Sequence, residues 1–194
     1  MSDAESQLLA LLKDRSFKLG TFRLASGDAS NYYIDGKMTE MYSAGVFLIG
    51  QVFYERTKDL AIDALGGLEA GAIPLTTAAV MCYHLHGRSM EGFWVRDKVK
   101  GHGTQKAIEG NLRRGARVVI LDDVITRGSS VVKAIDEVKK LGCEVVQVMA
   151  LVDRLAGAAD LFKKHGITEY HPVFTIRELG VQCVDEPMAV PACQ

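Results

Sequence analysis

From residue 43 to residue 164 the chain alternates between helical and extended patterns, and this alternation restricts its fold more than any single residue does. Val46, Phe47, Ile49 and Phe53 recur at helical spacing between 43 and 58, and Leu60-Ala-Ile-Asp-Ala-Leu65 follows as a strand-like run. Residues 74–86 then read as helix, 92–96 and 117–124 as extended, 130–141 as helix, 143–152 as extended and 156–164 as helix. Strands separated by helices lie side by side in a mostly parallel sheet, with the helices covering its faces. Ahead of this unit, Ser2 and Glu5 have the spacing of a capping box before Leu8, Leu9, Leu11 and Leu12, so the chain opens with a helix. Two less regular pieces, residues 17–42 and 166–194, are expected to form a small hood over one end of the sheet. With 194 residues, 48% of them hydrophobic and 24% charged, the expectation is a single α/β domain over residues 1–194 that buries a core and retains a cleft.

Charge and cysteine usage exclude several functions. A net charge of -1 offers no surplus of cations for nucleic acid. The polar start Met1-Ser-Asp-Ala-Glu-Ser-Gln lacks the features of a secretory signal, and no apolar run approaches the length of a membrane span. Cys82, Cys143, Cys183 and Cys193 form no CxxC pair, which leaves a reduced, cytoplasmic enzyme as the expectation. Cys82, His84 and His86 alternate, but residues two apart on a helix face different directions and cannot converge on one metal. They read instead as a helix end, where histidine suits the negative pole, and His165 before Gly166 reads likewise. The tail 184–191 reads as a peripheral extension.

The chemistry concentrates in Val118-Val-Ile-Leu-Asp-Asp-Val-Ile-Thr-Arg-Gly-Ser-Ser130, a buried strand running into a turn and a helix. Ligands of parallel sheets bind beyond the carboxyl ends of the strands, and N–H groups at a helix start suit a phosphate. Thr126, Ser129 and Ser130 would add hydroxyl donors, although either serine could equally serve as an N-cap. Asp122 and Asp123 repel a phosphate, so they address another part of the same ligand. Vicinal ribose hydroxyls are the natural donors to them, with a divalent cation relieving the remaining repulsion. Neither GxxxxGK[ST] nor a GxGxxG after a strand occurs, so this is neither a Walker loop nor a Rossmann fingerprint.

Four apolar residues, two acids, two apolar residues, then Thr and Gly-Ser-Ser resemble the phosphoribosyl pyrophosphate motif of type I phosphoribosyltransferases. Further segments narrow the resemblance to orotate phosphoribosyltransferases: Leu24 to Asp35 is similar to their hood segment, Gly66 to Pro74 to their pyrophosphate loop, and Val95 to Gln105 to their mobile catalytic loop. The resemblance implies the type I fold and transfer of phosphoribose to orotate in de novo pyrimidine (UMP) biosynthesis. Magnesium would travel with the substrate, with no direct protein ligands.

For the sites, the resemblance implies that phosphoribosyl pyrophosphate meets Arg96, Lys100, His102, Asp122, Asp123, Val124, Ile125, Thr126, Arg127, Gly128, Ser129 and Ser130. Lys100, His102, Asp122 and Asp123 would be catalytic, with Lys100 and His102 reaching across a homodimer interface. Orotate would meet Arg154, Thr126, Tyr33 and Ile34, the arginine because its planar fork matches a carboxylate. Physically, Arg96, Lys98, Lys100 and His102 gather positive charge in a loop punctuated by Gly101 and Gly103, which suits a pyrophosphate that gains charge as it departs.

Three family basic residues are replaced, by Ala25 in the hood, Gly71 in the pyrophosphate loop and Asp97 beside Arg96. Glu69 makes that loop less positive still. Lys98, Lys37 or Lys106 could compensate, as could a backbone nest around Gly66, Gly67 and Gly71. The alternatives are the same transfer to a purine, or a regulator that senses phosphoribosyl pyrophosphate without turnover; Lys100 and His102 argue against the latter. A chain of this length has no room for a decarboxylase domain.

Overall fold

Ser2 starts the first helix, α1 (Asp3–Arg15), through the capping box: Glu5 N donates to Ser2 Oγ at 3.2 Å and Ser2 N to Glu5 Oε2 at 2.8 Å. The computed structural model describes residues 1–23, 29–98 and 106–181. After α1, strands β1 (Phe17–Arg23) and β2 (Ala29–Ile34) pair antiparallel as a separate two-stranded sheet. Helices α2 (Lys37–Glu40) and α3 (Ser43–Thr57) lead from it into the central unit. That unit runs β3 (Ala64–Leu68), α4 (Ile73–Leu85), β4 (Glu91–Val95), β5 (Ile108–Gly110), β6 (Arg117–Ile125), α5 (Ser129–Lys140), β7 (Glu144–Asp153), α6 (Ala158–Lys164) and β8 (Phe174–Thr175).

The six strands of this sheet lie in the order β5-β4-β3-β6-β7-β8, all neighbours parallel except β4 and β5. Side chains alternate across β6, so Val119 and Leu121 join one core with α1, α3 and α4, while Val118 and Ile120 join a second with α5 and α6. Both faces are therefore buried, and the strand reads as an unbroken apolar run. From β3 the chain crosses to β4 on one side, and from β6 it crosses to β7 on the other. The strand order thus reverses between β3 and β6, which opens a crevice at their carboxyl ends.

Two expectations are corrected here. The run Leu60 to Leu65 is not itself the strand: β3 begins at Ala64, while Leu60 and Ile62 pack against the core from a loop. Of the C-terminal hood piece, the described residues 166–181 join the central sheet, because β8 pairs with β7 and Ile176 and Leu179 are buried in its core. The hood among the described residues is therefore β1 and β2. The short elements α2, β5 and β8 carried no periodic signal and were not anticipated. The helix at Cys82 ends as expected: His86 stacks on Tyr54 with ring centroids 4.0 Å apart, and its Nδ1 lies 2.9 Å from Cys82 O. The region 184–194, with Cys193, lies outside the described residues, as do Ala25 and Cys183.

Candidate active site

Strand β6 carries its apolar alternation to Leu121 and then places two carboxylates at the mouth of the crevice. Asp122 and Asp123 are each 8% exposed. The loop after β3 closes on them so tightly that a Cβ on Gly71 would stand 2.7 Å from Asp123 Oδ1 and would collide with Asp122 Oδ1. Gly71 is thus required by the close approach, which accounts for the absence of a side chain there. Beside it Ala70 holds a φ of 70°, a conformation L-residues seldom adopt, and such strain collects at ligand loops. Gly66 and Gly67 do not contribute to a nest. They lie within β3, where a Cβ would strike Phe93 and Leu121, so their role is close packing.

Beyond the acids, Val124 is half-buried and the Ile125 side chain is in the core, so Ile125 offers only its backbone, whose carbonyl accepts from Arg154 N at 2.9 Å. Thr126 and Arg127 form the bend, and Gly128 turns the chain at φ 82° into α5. A Cβ on Gly128 would lie 2.6 Å from the Phe162 ring. Gly128 is the N-cap and has no side chain to cap with, so neither serine serves that role. Ser129 and Ser130 are exposed at the first turn, where helix N–H groups have no intrahelical partner. Hydroxyls, N–H groups and the positive helix pole meet there, a setting for a phosphate monoester.

Arg154 follows directly on β7. Its Nε donates to Tyr32 Oη at 2.9 Å and its guanidinium lies 4.8 Å from the centre of that ring. No ion pair ties it to Asp153 or Asp160. Tyr32 is therefore the hood residue that aims the arginine, and it was overlooked because Tyr32 and Tyr33 are indistinguishable until strand phase is known. Tyr33 is 44% exposed with its ring 5.5 Å from Phe22, and Ile34 packs against the core. Arg96 is held by Glu109, whose Oε1 accepts from Nε at 3.0 Å and from Nη2 at 2.9 Å. Lys100 and His102 lie outside the described residues.

Two further groups belong to the site. Lys37 Nζ donates to Asp123 Oδ2 at 2.9 Å. Behind it Glu40 is fully buried, with neither carboxylate oxygen hydrogen-bonded among the described residues. Burial, then the charge of Asp123, push the Glu40 carboxyl up to about 8. The same two causes hold Asp122 well above the usual carboxylate range. Both acids thus tend toward the neutral form, which lessens the repulsion an anionic ligand would meet. No sequence pattern marks Glu40, since a four-residue helix has no periodicity to read. Among the described residues no group of three or more His, Cys, Asp or Glu could hold a metal ion.

A sheet that reverses between two strands, with paired acids on one and a phosphate turn following them, defines the class of phosphoribosyl-handling enzymes. The phosphoribosyl transferase domain family matches residues 44–176, and the chain belongs to it. Within that class the chain belongs to the orotate phosphoribosyltransferase family. It is 41% identical to the orotate phosphoribosyltransferase of Bradyrhizobium diazoefficiens, covering 86% of this chain and 91% of the relative. It is 40% identical to that of Aquifex aeolicus, covering 89% and 96%. The fold is similar to that of Mycobacterium tuberculosis orotate phosphoribosyltransferase in complex with phosphoribosyl pyrophosphate, with a TM-score of 0.77, 32% identity and 92% and 99% of the two chains covered.

Proposed function

We propose that this chain transfers the 5-phosphoribosyl group from phosphoribosyl pyrophosphate to orotate, giving orotidine 5'-phosphate and pyrophosphate. The observation that carries this reading is the convergence of three recognition elements on one crevice: the Asp122–Asp123 pair, the Thr126 to Ser130 turn, and Arg154 aimed by Tyr32. The turn would take the 5'-phosphate, the acids the ribose hydroxyls, and the guanidinium the orotate carboxylate. Thr126, Tyr33 and Ile34 would line the pyrimidine. A ring nitrogen of orotate, its N–H proton passing to solvent, then forms a bond to ribose C1 as the bond from C1 to pyrophosphate breaks, with the electron pair leaving on pyrophosphate. Lys100 and His102 would donate to that leaving group, with Arg96 at the base of their loop. Magnesium would enter with the substrate and neutralise part of the pyrophosphate charge.

We further propose a cytoplasmic homodimer. Helix α4 is apolar almost all round, yet Ile73, Met81 and Leu85 remain exposed along one stripe of it, and Ile73 and Met81 line a cavity of about 340 Å3 with Trp94. A partner subunit covering that stripe would bring its loop toward this crevice. Cys82 and Cys143 are free thiols, which suits a reducing compartment.

Incubating the purified protein with phosphoribosyl pyrophosphate, magnesium and single bases tests the reading. Orotate absorbance is expected to fall, with no consumption of adenine, guanine or hypoxanthine. Turnover of a purine alone would replace orotate as the substrate, and tight substrate binding with no turnover of any base would make the chain a sensor.

A further inference from the structure

The loop after β3 has lost the cation expected of a pyrophosphate site, and the structure offers another in its place. Gly71 cannot carry a side chain, because Asp122 and Asp123 already fill the space its Cβ would need. Glu69, the charged residue of this loop, accepts from Asp97 N at 3.1 Å. Asp97 in turn is paired with Lys133, and Arg96 is forked on Glu109. Lys106 lines a separate cavity with Glu137 and Lys140 beyond β5, and Lys98 is exposed after β4. Lys37 differs from all of these. Its ammonium meets Asp123 Oδ2 while Oδ1 of the same carboxylate faces Gly71, so α2 supplies a cation across that carboxylate from the loop.

We propose that Lys37 is a pyrophosphate-binding residue of this site, shared between Asp123 and the leaving group. The assignment rests on the phosphoribosyl pyrophosphate reading above. The ribose hydroxyls donate to the same carboxylate that holds Lys37, so sugar and ammonium compete for Asp123. The side chain is 51% exposed, leaving its stem free to swing, and the pyrophosphate presents more negative charge than one carboxylate. Binding of the sugar therefore releases the ammonium toward the group about to depart.

Calorimetric titration with magnesium and two ligands separates this role from a structural one. Lys37→Met is expected to weaken phosphoribosyl pyrophosphate binding by about 10- to 100-fold, the scale of one lost charge-assisted contact. Ribose 5-phosphate, which carries no pyrophosphate, should bind the variant as well as the wild type or better, since Asp123 is freed. Lys37→Arg should restore most of the affinity, and in steady state KM for phosphoribosyl pyrophosphate should rise while KM for orotate holds. Equal affinity of Lys37→Met and wild type for phosphoribosyl pyrophosphate would overturn the assignment, as would a parallel loss for both ligands. A wild-type protein that binds ribose 5-phosphate but not phosphoribosyl pyrophosphate would instead sink the function proposed above.

Discussion

Single residues set the electrostatics of the crevice, and Glu40 has the plainest consequence. An ordinary glutamate carboxyl titrates near 4.5, while in the fold Glu40 holds its proton to about 8, with Asp35, Lys37, Asp122 and Asp123 as its charged surroundings. Between those values the unfolded chain has released the proton and the folded chain keeps it. Stability therefore falls as pH rises through this window and levels off above about pH 8. Glu40→Gln should flatten much of that slope in urea melts at pH 5, 6.5 and 8, leaving the smaller part that belongs to Asp122. An unchanged slope would place the Glu40 carboxyl in solvent. Arg154 is tested by kinetics: Arg154→Ala should raise KM for orotate by about 100-fold or more, the scale of a lost bidentate ion pair, and leave KM for phosphoribosyl pyrophosphate within about threefold. Tyr32→Phe should reproduce a fraction of that effect, because the ring still stacks while the Oη contact that aims Nε is gone.

At the level of elements, the turn from β6 into α5, which takes the phosphate in the function proposed above, is held from behind by α6. Gly128 combines a φ of 82° with contact to the Phe162 ring, so Gly128→Ala meets backbone strain and overlap at once. A loss of about 1–3 kcal/mol in denaturant unfolding is expected, together with weaker ribose 5-phosphate binding. A further loop obeys the same logic in reverse. The turn at Glu69 to Ala72 is shaped by the carboxylates opposite it, and the glycine at 71 is the cost of bringing two acids so close to a backbone. The hood differs from both, since β1 and β2 touch the site through few side chains, Tyr32 foremost.

For the whole molecule, the two faces of the sheet have unequal cover. The α5 and α6 face closes over its own core, whereas α4 leaves Ile73, Met81 and Leu85 outward. On the homodimer and shared loop proposed above, Met81→Lys should shift the protein from dimer to monomer in sedimentation and depress activity. Complementation tests the sharing directly. Mixing and re-annealing the Lys100→Ala and Arg154→Ala proteins should recover about a quarter of wild-type activity, since half of the random dimers carry one intact site in two. No recovery would confine each site to a single subunit.

Residues 43–164 announced their architecture through periodicity, and apart from the short β5 the helix and strand limits fell within a few residues, because burial on both sheet faces imposes long, regular apolar patterns. The placement of the acids at 122 and 123 near the end of a strand, with a turn and a helix after them, was equally legible, since it involves only consecutive residues. Local patterning could not say which of two adjacent tyrosines meets Arg154, that Lys37 rests on Asp123, or that Glu40 is buried beside it. The Lys37–Asp123 and Tyr32–Arg154 contacts join residues 86 and 122 positions apart in the chain, and only the packing of β2 and α2 against the sheet brings them together. The sequence likewise showed a missing lysine at 71 without its reason, which is a space that two carboxylates from a neighbouring strand already occupy.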